Sequence, residues 1–202
     1  MPDTPWLGWH FLSKDRRLRG GSREIVRAGR TLDFAGRPKL HVHGFHASRQ
    51  VIDALIYAPG PIVERVELGG TIVTGTGVAV AQTRTTLWMA DVTRILHEFT
   101  SDVVEDLLIN AQVNDRRSLD SIDMKRKWLA NEVTDEELRA AKWAAKDAIQ
   151  DDANYIEQIA AWTASWTSAS DAAATVARLT VGDAARGTYN TMLEARLFQL
   201  VP

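Results

Sequence analysis

The 202-residue chain contains no cysteine, which excludes a disulfide scaffold, a thiolate nucleophile and any zinc or iron–sulfur site with cysteine ligands. It also contains no run of about 18 apolar residues, the length that a membrane-spanning helix requires. Its first residues lack the basic start and apolar core of a signal peptide. We therefore expect a protein of a reducing compartment such as the cytoplasm, without a membrane partner.

Glycine and proline are nearly absent from the second half of the chain. Eleven of the 13 glycines and five of the six prolines lie within residues 1–77, and residues 78–181 contain neither. Because these residues mark turns, the first half is predicted to form short strands and the second half helices. We expect an α+β protein: a small twisted antiparallel sheet domain over residues 1–99, followed by an all-α domain of four or five helices over residues 100–202.

Short apolar or β-branched segments predict the strands of the first half. They cover residues 6–12, 24–26, 31–34, 40–43, 62–68, 71–74 and 78–89. Glycines predict turns at 19–22, 69–70 and 75–77. Ser48 is predicted to cap a helix over residues 49–58, and residues 91–99 fit a helix as well as a strand.

Helical patterns dominate after residue 100. Helices are predicted over about 102–113, 119–129, 171–180 and 183–200. Thr134, with Glu137 three residues later, forms a capping box before a further helix, which either continues to about residue 166 or breaks near 151–152. Alanine makes up 13 of the 36 residues 140–175. The tryptophans there are expected to fill the core or, alternatively, to form an exposed patch for a protein partner: Trp143, Trp162 and Trp166.

Charge is nearly balanced over the whole chain, at −2, but it is uneven along it. Residues 1–40 hold nine Lys and Arg against four Asp and Glu, and residues 131–160 hold three against eight. Such a difference fits two regions that attract each other, or a basic face for nucleic acid or phosphate. No basic run is interleaved with aromatic residues, so nucleic acid is not the expected partner.

Three of the five histidines cluster in the sequence, at His41, His43 and His46. On a strand, His41 and His43 would point to the same side, and a turn at Gly44 would swing His46 toward them. Three converging imidazoles would suit a divalent metal such as zinc, whereas the alternative is separate histidines bonded to the backbone. We assign no metal site, and we expect His43, His46 and Ser48 to contribute to ligand binding.

No complete catalytic motif is present. Ser22 and Ser48 lack the glycine pattern of a nucleophile elbow. The Gly-Thr-Gly at 75–77 lacks the third glycine of a dinucleotide-binding loop and the Lys-Ser/Thr of a phosphate loop. Glu64 and Glu67 lie on opposite faces of one predicted strand, so they do not form a carboxylate pair.

A series of short motifs runs through residues 6–110. They are Gly-Trp-His-Phe at 8–11, Arg-Gly at 19–20, Ala-Gly-Arg-Thr-Leu at 28–32, Gly-Phe-His-Ala-Ser at 44–48, the helical segment 52–57 and Val-Glu-Leu-Gly at 66–69. In this order they resemble a family of uncharacterised bacteriophage and prophage proteins. Phe-Thr-Ser-Asp at 99–102 is similar to the helix start at the end of that family, which favours a strand over residues 91–99.

The helical half carries a resemblance of its own. Residues 134–200 are similar to Ala- and Trp-rich helical tails of actinobacterial and actinophage proteins, some of them immunity-like. Together the two resemblances imply a phage- or prophage-type accessory protein in the cytoplasm of a host cell. It would act by binding a host protein or a small ligand, with counter-defence as one role.

A different class of function is implied by a further resemblance. The chain resembles ADP-ribosyltransferase folds in the order of a few residues. These are His10, then Phe45 and Ser48, then Ala54 with Tyr57, and then Glu64 or Glu67. That resemblance implies NAD as the cofactor: His10 would hold NAD, Tyr57 would stack on the nicotinamide, and Glu67 would stabilise the oxocarbenium-like transition state. In departure from the family, Phe11 follows His10 in place of Gly-Ser/Thr, and nothing fixes which glutamate is catalytic. This enzyme is the alternative to the binding protein.

Overall fold

A computed structural model describes residues 5–18, 24–149, 155–180 and 183–201 of the chain. The predicted α+β class is confirmed, since strands occupy the first half and helices follow. The turn predicted at 19–22 and the helix break predicted near 151–152 lie outside the described residues. By their contacts, the residues form two compact units: Met1–Val92 with Asn190–Pro202, and Thr93–Tyr189. We call the first the strand unit and the second the helical unit.

The strand unit is built on one antiparallel sheet of five strands, with one short helix. The elements are β1 (Trp6–Leu12), β2 (Thr31–Asp33), β3 (Phe45–Ser48), α1 (Val51–Leu55), β4 (Ile62–Thr74) and β5 (Val78–Asp91). β1 pairs with β3 and β4, and β5 also pairs with β3 and β4, so these four strands close into a ring. The contact between β1 and β3 is the narrowest, a single residue pair between Trp9 and Ser48. β2 joins β5 outside the ring.

The longest part of the sheet is the β4–β5 hairpin. Its turn at residues 75–77 is confirmed, because the Gly75 amide donates to the Val78 carbonyl over 2.8 Å and Gly77 has a φ of 71°. The turn predicted at 69–70 is wrong, since β4 continues through it. A register shift between Gly69 and Ile72, with a φ of 67° at Gly70, absorbs the two glycines as an irregularity inside the strand.

Two local predictions before α1 are also wrong. Residues 40–43 form a tight turn and not a strand, because the Lys39 amide donates to the His43 carbonyl over 2.9 Å and His41 has a φ of 60°. Ser48 does not cap the helix, since it is the last residue of β3. The N-cap of α1 is Gln50, without a side-chain hydrogen bond.

Aliphatic side chains of the sheet form a buried core in this unit. One buried cluster contains Ala47, Val66, Leu68, Ala79 and Ala81. The chain from Asn190 onward completes the unit on Trp9, whose indole Nε1 donates to Glu194 Oε1 over 2.9 Å and whose ring lies 5.5 Å from that of Phe198. Trp9 is fully buried, so this anchor fixes the middle of β1.

The helical unit begins immediately after β5. Its helices are α2 (Thr93–Asn110), α3 (Arg116–Leu129), α4 (Asp135–Asp147), α5 (Tyr155–Ala164), α6 (Ala169–Leu179) and the first part of α7 (Asp183–Phe198). The strand favoured over 91–99 is therefore wrong beyond Asp91, and the domain boundary predicted after residue 99 falls inside α2. Buried Leu96, Phe99 and Val103 follow helical spacing there.

The helix count after residue 92 is higher than expected within the described residues, six where four or five were predicted. The capping box of α4 is confirmed, since Thr134 Oγ1 accepts from the Glu137 amide and Glu137 Oε2 accepts from the Thr134 amide. Trp162 and Trp166 pack edge to face at 5.2 Å, whereas Trp143 is half exposed. None of the described helices has the length and apolar character needed to cross a bilayer.

Candidate functional site

A cavity of about 500 Å³ opens in the strand unit. Its walls come from β1, from the turn at 39–43 together with β3, from α1 and the residues after it, and from β5. Aromatic and aliphatic side chains form much of the lining, and the histidines and arginines in it are His10, Arg17, His41, His46 and Arg84. The volume lies within the range of about 300–1,000 Å³ that is typical of small-molecule sites.

His10 is held at this cavity by a buried carboxylate. The register of β1 and β4 places His10 opposite Glu64, and the His10 Nδ1 and Glu64 Oε2 atoms are 2.8 Å apart. The other carboxylate oxygen, Oε1, accepts from Thr86 Oγ1 over 2.8 Å. Glu64 is completely buried, whereas the His10 side chain is 26% exposed. Glu64 therefore acts on His10 from behind and fixes the orientation of its ring.

The protonation states follow from these neighbours. Burial raises the pKa of Glu64, but the His10 hydrogen bond and the Arg84 charge outweigh it and hold that pKa below its usual value. Burial, with a smaller contribution from Arg84, lowers the pKa of His10 to about 4. His10 is thus neutral near pH 7, with its proton on Nδ1 facing Glu64. Nε2 keeps a free lone pair and makes no hydrogen bond within the described part of the chain.

Arg84 on β5 brings a second charge to the same place. It is 1% exposed, and its Nη2 lies 3.3 Å from Glu64 Oε2. Nη1 donates to the His46 carbonyl over 3.2 Å, while Nε and Nη2 have no hydrogen-bond partner. Buried donors are nearly always satisfied in folded proteins, so a buried arginine in a cavity lining with two unpartnered donors is an exception that calls for an explanation.

The histidine cluster does not converge. His46 Nε2 accepts from the His41 amide over 3.0 Å, and the two rings stack at 6.4 Å. His43 packs instead against Phe34, with ring centres 5.6 Å apart, because the turn at 39–43 removes the alternation that would have aligned it with His41. Among the residues that the structure describes, no group of three or more His, Cys, Asp or Glu is arranged to hold a metal ion.

The structure places four of the six predicted site residues in the cavity wall. The four are His10, His46, Ser48 and Tyr57. His43 lies outside it for the reason given above. Glu67 also lies outside, because strand alternation puts it on the face of β4 opposite Glu64.

Arg84 and the role of Glu64 are what sequence reasoning missed. A signal for Glu64 was present, since it shares a strand face with Ile62, Val66 and Leu68, and a lone charge on an apolar face needs a buried partner. Nothing in the Thr- and Val-rich sequence of β5 singles out Arg84, because its contact with Glu64 joins residues that are not even opposite each other in the sheet: Arg84 pairs with Leu68, and Glu64 pairs with Met89.

The helical unit contains a different buried cation. Lys125 Nζ donates to the Trp166 carbonyl over 2.8 Å and lies 4.1 Å from the centre of the Trp128 ring. Burial lowers the pKa of Lys125 to about 7. His97 packs edge-on against Trp128 at 5.6 Å, and burial with the nearby Lys125 charge lowers the pKa of His97 to about 4. These groups form an interior polar cluster of the helical unit.

The comparisons with known proteins do not indicate what the cavity binds, so its function is inferred from the residues that line it. No family model matches the chain, and neither a curated protein nor a solved structure gives a match. The resemblances to phage proteins and to ADP-ribosyltransferases therefore stay predictions. What the geometry supplies is a cavity of ligand size, with a fixed neutral histidine and a buried arginine in its wall.

Proposed function

We propose that this protein binds a small ligand in the cavity of the strand unit. The observation that carries the proposal is His10, whose ring is fixed by Glu64 through Nδ1 while Nε2 remains an open acceptor in the cavity wall. A preorganised polar group in a largely apolar cavity is the usual arrangement of a small-molecule site. Because the ring is already oriented, a ligand that donates to Nε2 loses little free energy in ordering the protein.

The biological setting of the proposal is the one that the resemblances imply. A phage-type accessory protein with such a cavity would sequester or sense a small molecule of the host cell, and counter-defence is one role for that activity. A host protein as partner is the other branch of the prediction. We favour the small ligand because the concave cavity and its oriented histidine are features that such a ligand requires.

The test is a fragment screen by thermal shift on the wild-type chain and two histidine variants. His10→Ala removes the acceptor in the cavity, and His43→Ala is the matched control, since His43 is exposed and outside the lining. A ligand at 100 times its Kd stabilises by about 2.7 kcal/mol, which is a shift of about 5–10 °C for a chain of this size. We expect the shift to survive in His43→Ala and to vanish in His10→Ala. A ligand-induced shift that is unchanged in His10→Ala would contradict the proposal.

A second candidate function is an NAD-dependent ADP-ribosyltransferase. It is favoured by one observation: His10 and Tyr57 line the same cavity, and Tyr57 is 59% exposed there. The glutamate that lies with them is Glu64, not Glu67, but Glu64 is sealed behind His10.

The test of the enzyme is NAD titration with detection of released nicotinamide. Tyr57→Ala should abolish NAD binding if the ring stacks on the nicotinamide, whereas Glu67→Gln and Glu64→Gln separate the two carboxylates by their effect on release. Absence of binding and of nicotinamide release at millimolar NAD would end this candidate and leave the small-ligand proposal standing.

A further inference from the structure

The charged side chains of the cavity are of one sign. The charged residues of the described lining are two arginines, Arg17 and Arg84, and it contains no aspartate or glutamate. Asp15, whose Oδ2 lies 3.5 Å from Arg17 Nε, is outside the lining. Glu64 is behind the wall, with both oxygens engaged by His10 and Thr86. A ligand in the cavity therefore meets nitrogen-bearing groups and does not meet a carboxylate.

Arg84 is a lining residue of the cavity, and two of its buried donor atoms have no hydrogen-bond partner. Of the guanidinium nitrogens of Arg84, only Nη1 makes a hydrogen bond, to the His46 carbonyl. Nε and Nη2 lie on one edge of the planar group, the edge whose parallel donors match the two oxygens of a carboxylate or phosphate. Glu64 supplies a charge at 3.3 Å from Nη2 but no hydrogen bond.

The positive charge of Arg84 acts on side chains that line the cavity. The Arg84 charge contributes to lowering the pKa of two of the three cavity histidines, His10 and His46. At His10 burial is the largest cause of the lowered pKa and the Arg84 charge the second, while Glu64 opposes both through its hydrogen bond and its charge. A group that makes it harder to protonate a nearby imidazole makes it easier to hold an anion there, because both respond to the same electrostatic potential.

The rest of the lining is apolar and aromatic. It includes Trp9, Phe11 and Phe45 on the strands, with Tyr57 and Pro59 after α1. Such a surface stabilises an apolar or ring-shaped body by burial and by aromatic packing. The cavity thus offers one chemistry to the head of a ligand and another to its body.

We propose that the ligand is a small organic anion, with a phosphate or carboxylate head held by Arg17 and the charge of Arg84, and an apolar or aromatic body against the remaining wall, where a hydroxyl or N–H of the body donates to Nε2 of neutral His10. This inference rests on the proposed function, since it names the chemical class of ligand for the same cavity. Phosphate and carboxylate share the anionic oxygens that an arginine fork recognises.

The experiment compares matched probes that differ in charge. Benzoate is measured against benzamide, and phenyl phosphate against phenol, by calorimetric titration of the full chain. The two anions should bind at least about tenfold more tightly than their neutral counterparts, the smallest difference expected for a hydrogen bond to a charged group. The stronger of the two anions identifies the head as a carboxylate or a phosphate.

Three variants locate the anion. Arg84→Met removes the buried charge, and Arg17→Gln removes the charge of the partly exposed arginine in the lining, which serves if Arg84→Met does not fold. Arg27→Gln is the matched control, since Arg27 is exposed and outside the lining. We expect the anion Kd to rise about tenfold or more in Arg17→Gln and in folded Arg84→Met, with no change in Arg27→Gln.

The failures of the two proposals are distinguishable. Equal binding of benzoate and benzamide, or anion binding that ignores both cavity variants, overturns the anionic ligand and leaves a small-ligand site. The same holds if neither anion binds at millimolar concentration while the fragment screen yields His10-dependent ligands. A screen without any His10-dependent ligand overturns the proposed function itself.

Discussion

Both units of this protein bury a cation and a histidine, and they surround them differently. In the strand unit, Arg84 lies beside the carboxylate of Glu64, and His10 reaches a cavity from the same network. In the helical unit, Lys125 contacts a carbonyl oxygen and an indole ring, and its pKa falls to about 7 through burial. The comparison teaches that residue types alone do not make a site. The carboxylate keeps the strand-unit charges in place, while the lysine is tolerated by losing its proton.

The largest expected effect comes from removing the carboxylate of the strand unit. Glu64→Gln leaves Arg84 buried without an opposite charge, which costs about 3–5 kcal/mol. Glu67→Gln is the matched control, because Glu67 lies on the other face of the same strand and should change stability by less than about 0.5 kcal/mol. Urea unfolding followed by tryptophan fluorescence measures both. Equal effects of the two variants would show that the Glu64 network is not a buried ion pair.

In the helical unit, a pH dependence of stability is expected from Lys125, whose pKa is lowered by burial. Because the pKa of Lys125 is about 7 when folded and near 10.5 when unfolded, the unfolded chain binds an extra proton between these values. Stability therefore rises with pH there, by about 2.5 kcal/mol between pH 7.5 and 9.5. Lys125→Met should remove this rise in urea unfolding across the pH series. A rise that persists in the variant would assign it to other groups.

Acid should weaken both units, because each keeps a histidine neutral. His10 and His97 have folded pKa values of about 4, below the ordinary 6.5, so stability is lost as pH falls from 6.5 toward 4. One such histidine contributes about 2 kcal/mol between pH 6 and 4.5. His10→Gln and His97→Gln should each flatten the profile. His43→Gln, for an exposed ring outside the cavity, should leave the acid slope unchanged.

The smallest effect concerns how helices begin in the two units. Thr134→Ala removes the capping box of α4 and should cost about 1 kcal/mol. Gln50→Ala, at the N-cap of α1, should cost little, because Gln50 makes no side-chain cap hydrogen bond. Thermal unfolding of the two variants measures this. A loss at Gln50 as large as that at Thr134 would contradict the assignment.

The sequence predicted the features that local chemistry decides. Strand β1, the hairpin turn at 75–77 and the capping box of Thr134 all follow from residue type and spacing, and the structure confirms them. The turn at 39–43 and the passage of β4 through Gly69 and Gly70 escaped prediction. There, pairing with other strands decides whether glycines turn the chain or bulge it.

The candidate site also contains residues that sequence motifs indicate and a residue that they do not. His10, His46, Ser48 and Tyr57 were selected from motifs in the sequence, and all four line the cavity. Sequence motifs do not indicate Arg84, because it contacts Glu64 across 20 residues of sequence and is not opposite Glu64 in the register of β4 and β5. A contact of that kind has no local signature, so no reading of β5 alone would reveal it.

The ring of four strands has a consequence for association between chains. A strand that pairs on both sides offers no free backbone edge to another molecule. Among the described strands, only β2 pairs with a single neighbour, and it is three residues long. The single pair between Trp9 and Ser48 closes the ring, so this one short contact, which also joins two walls of the cavity, is all the strand pairing that limits the facing edges of β1 and β3 as a template for aggregation.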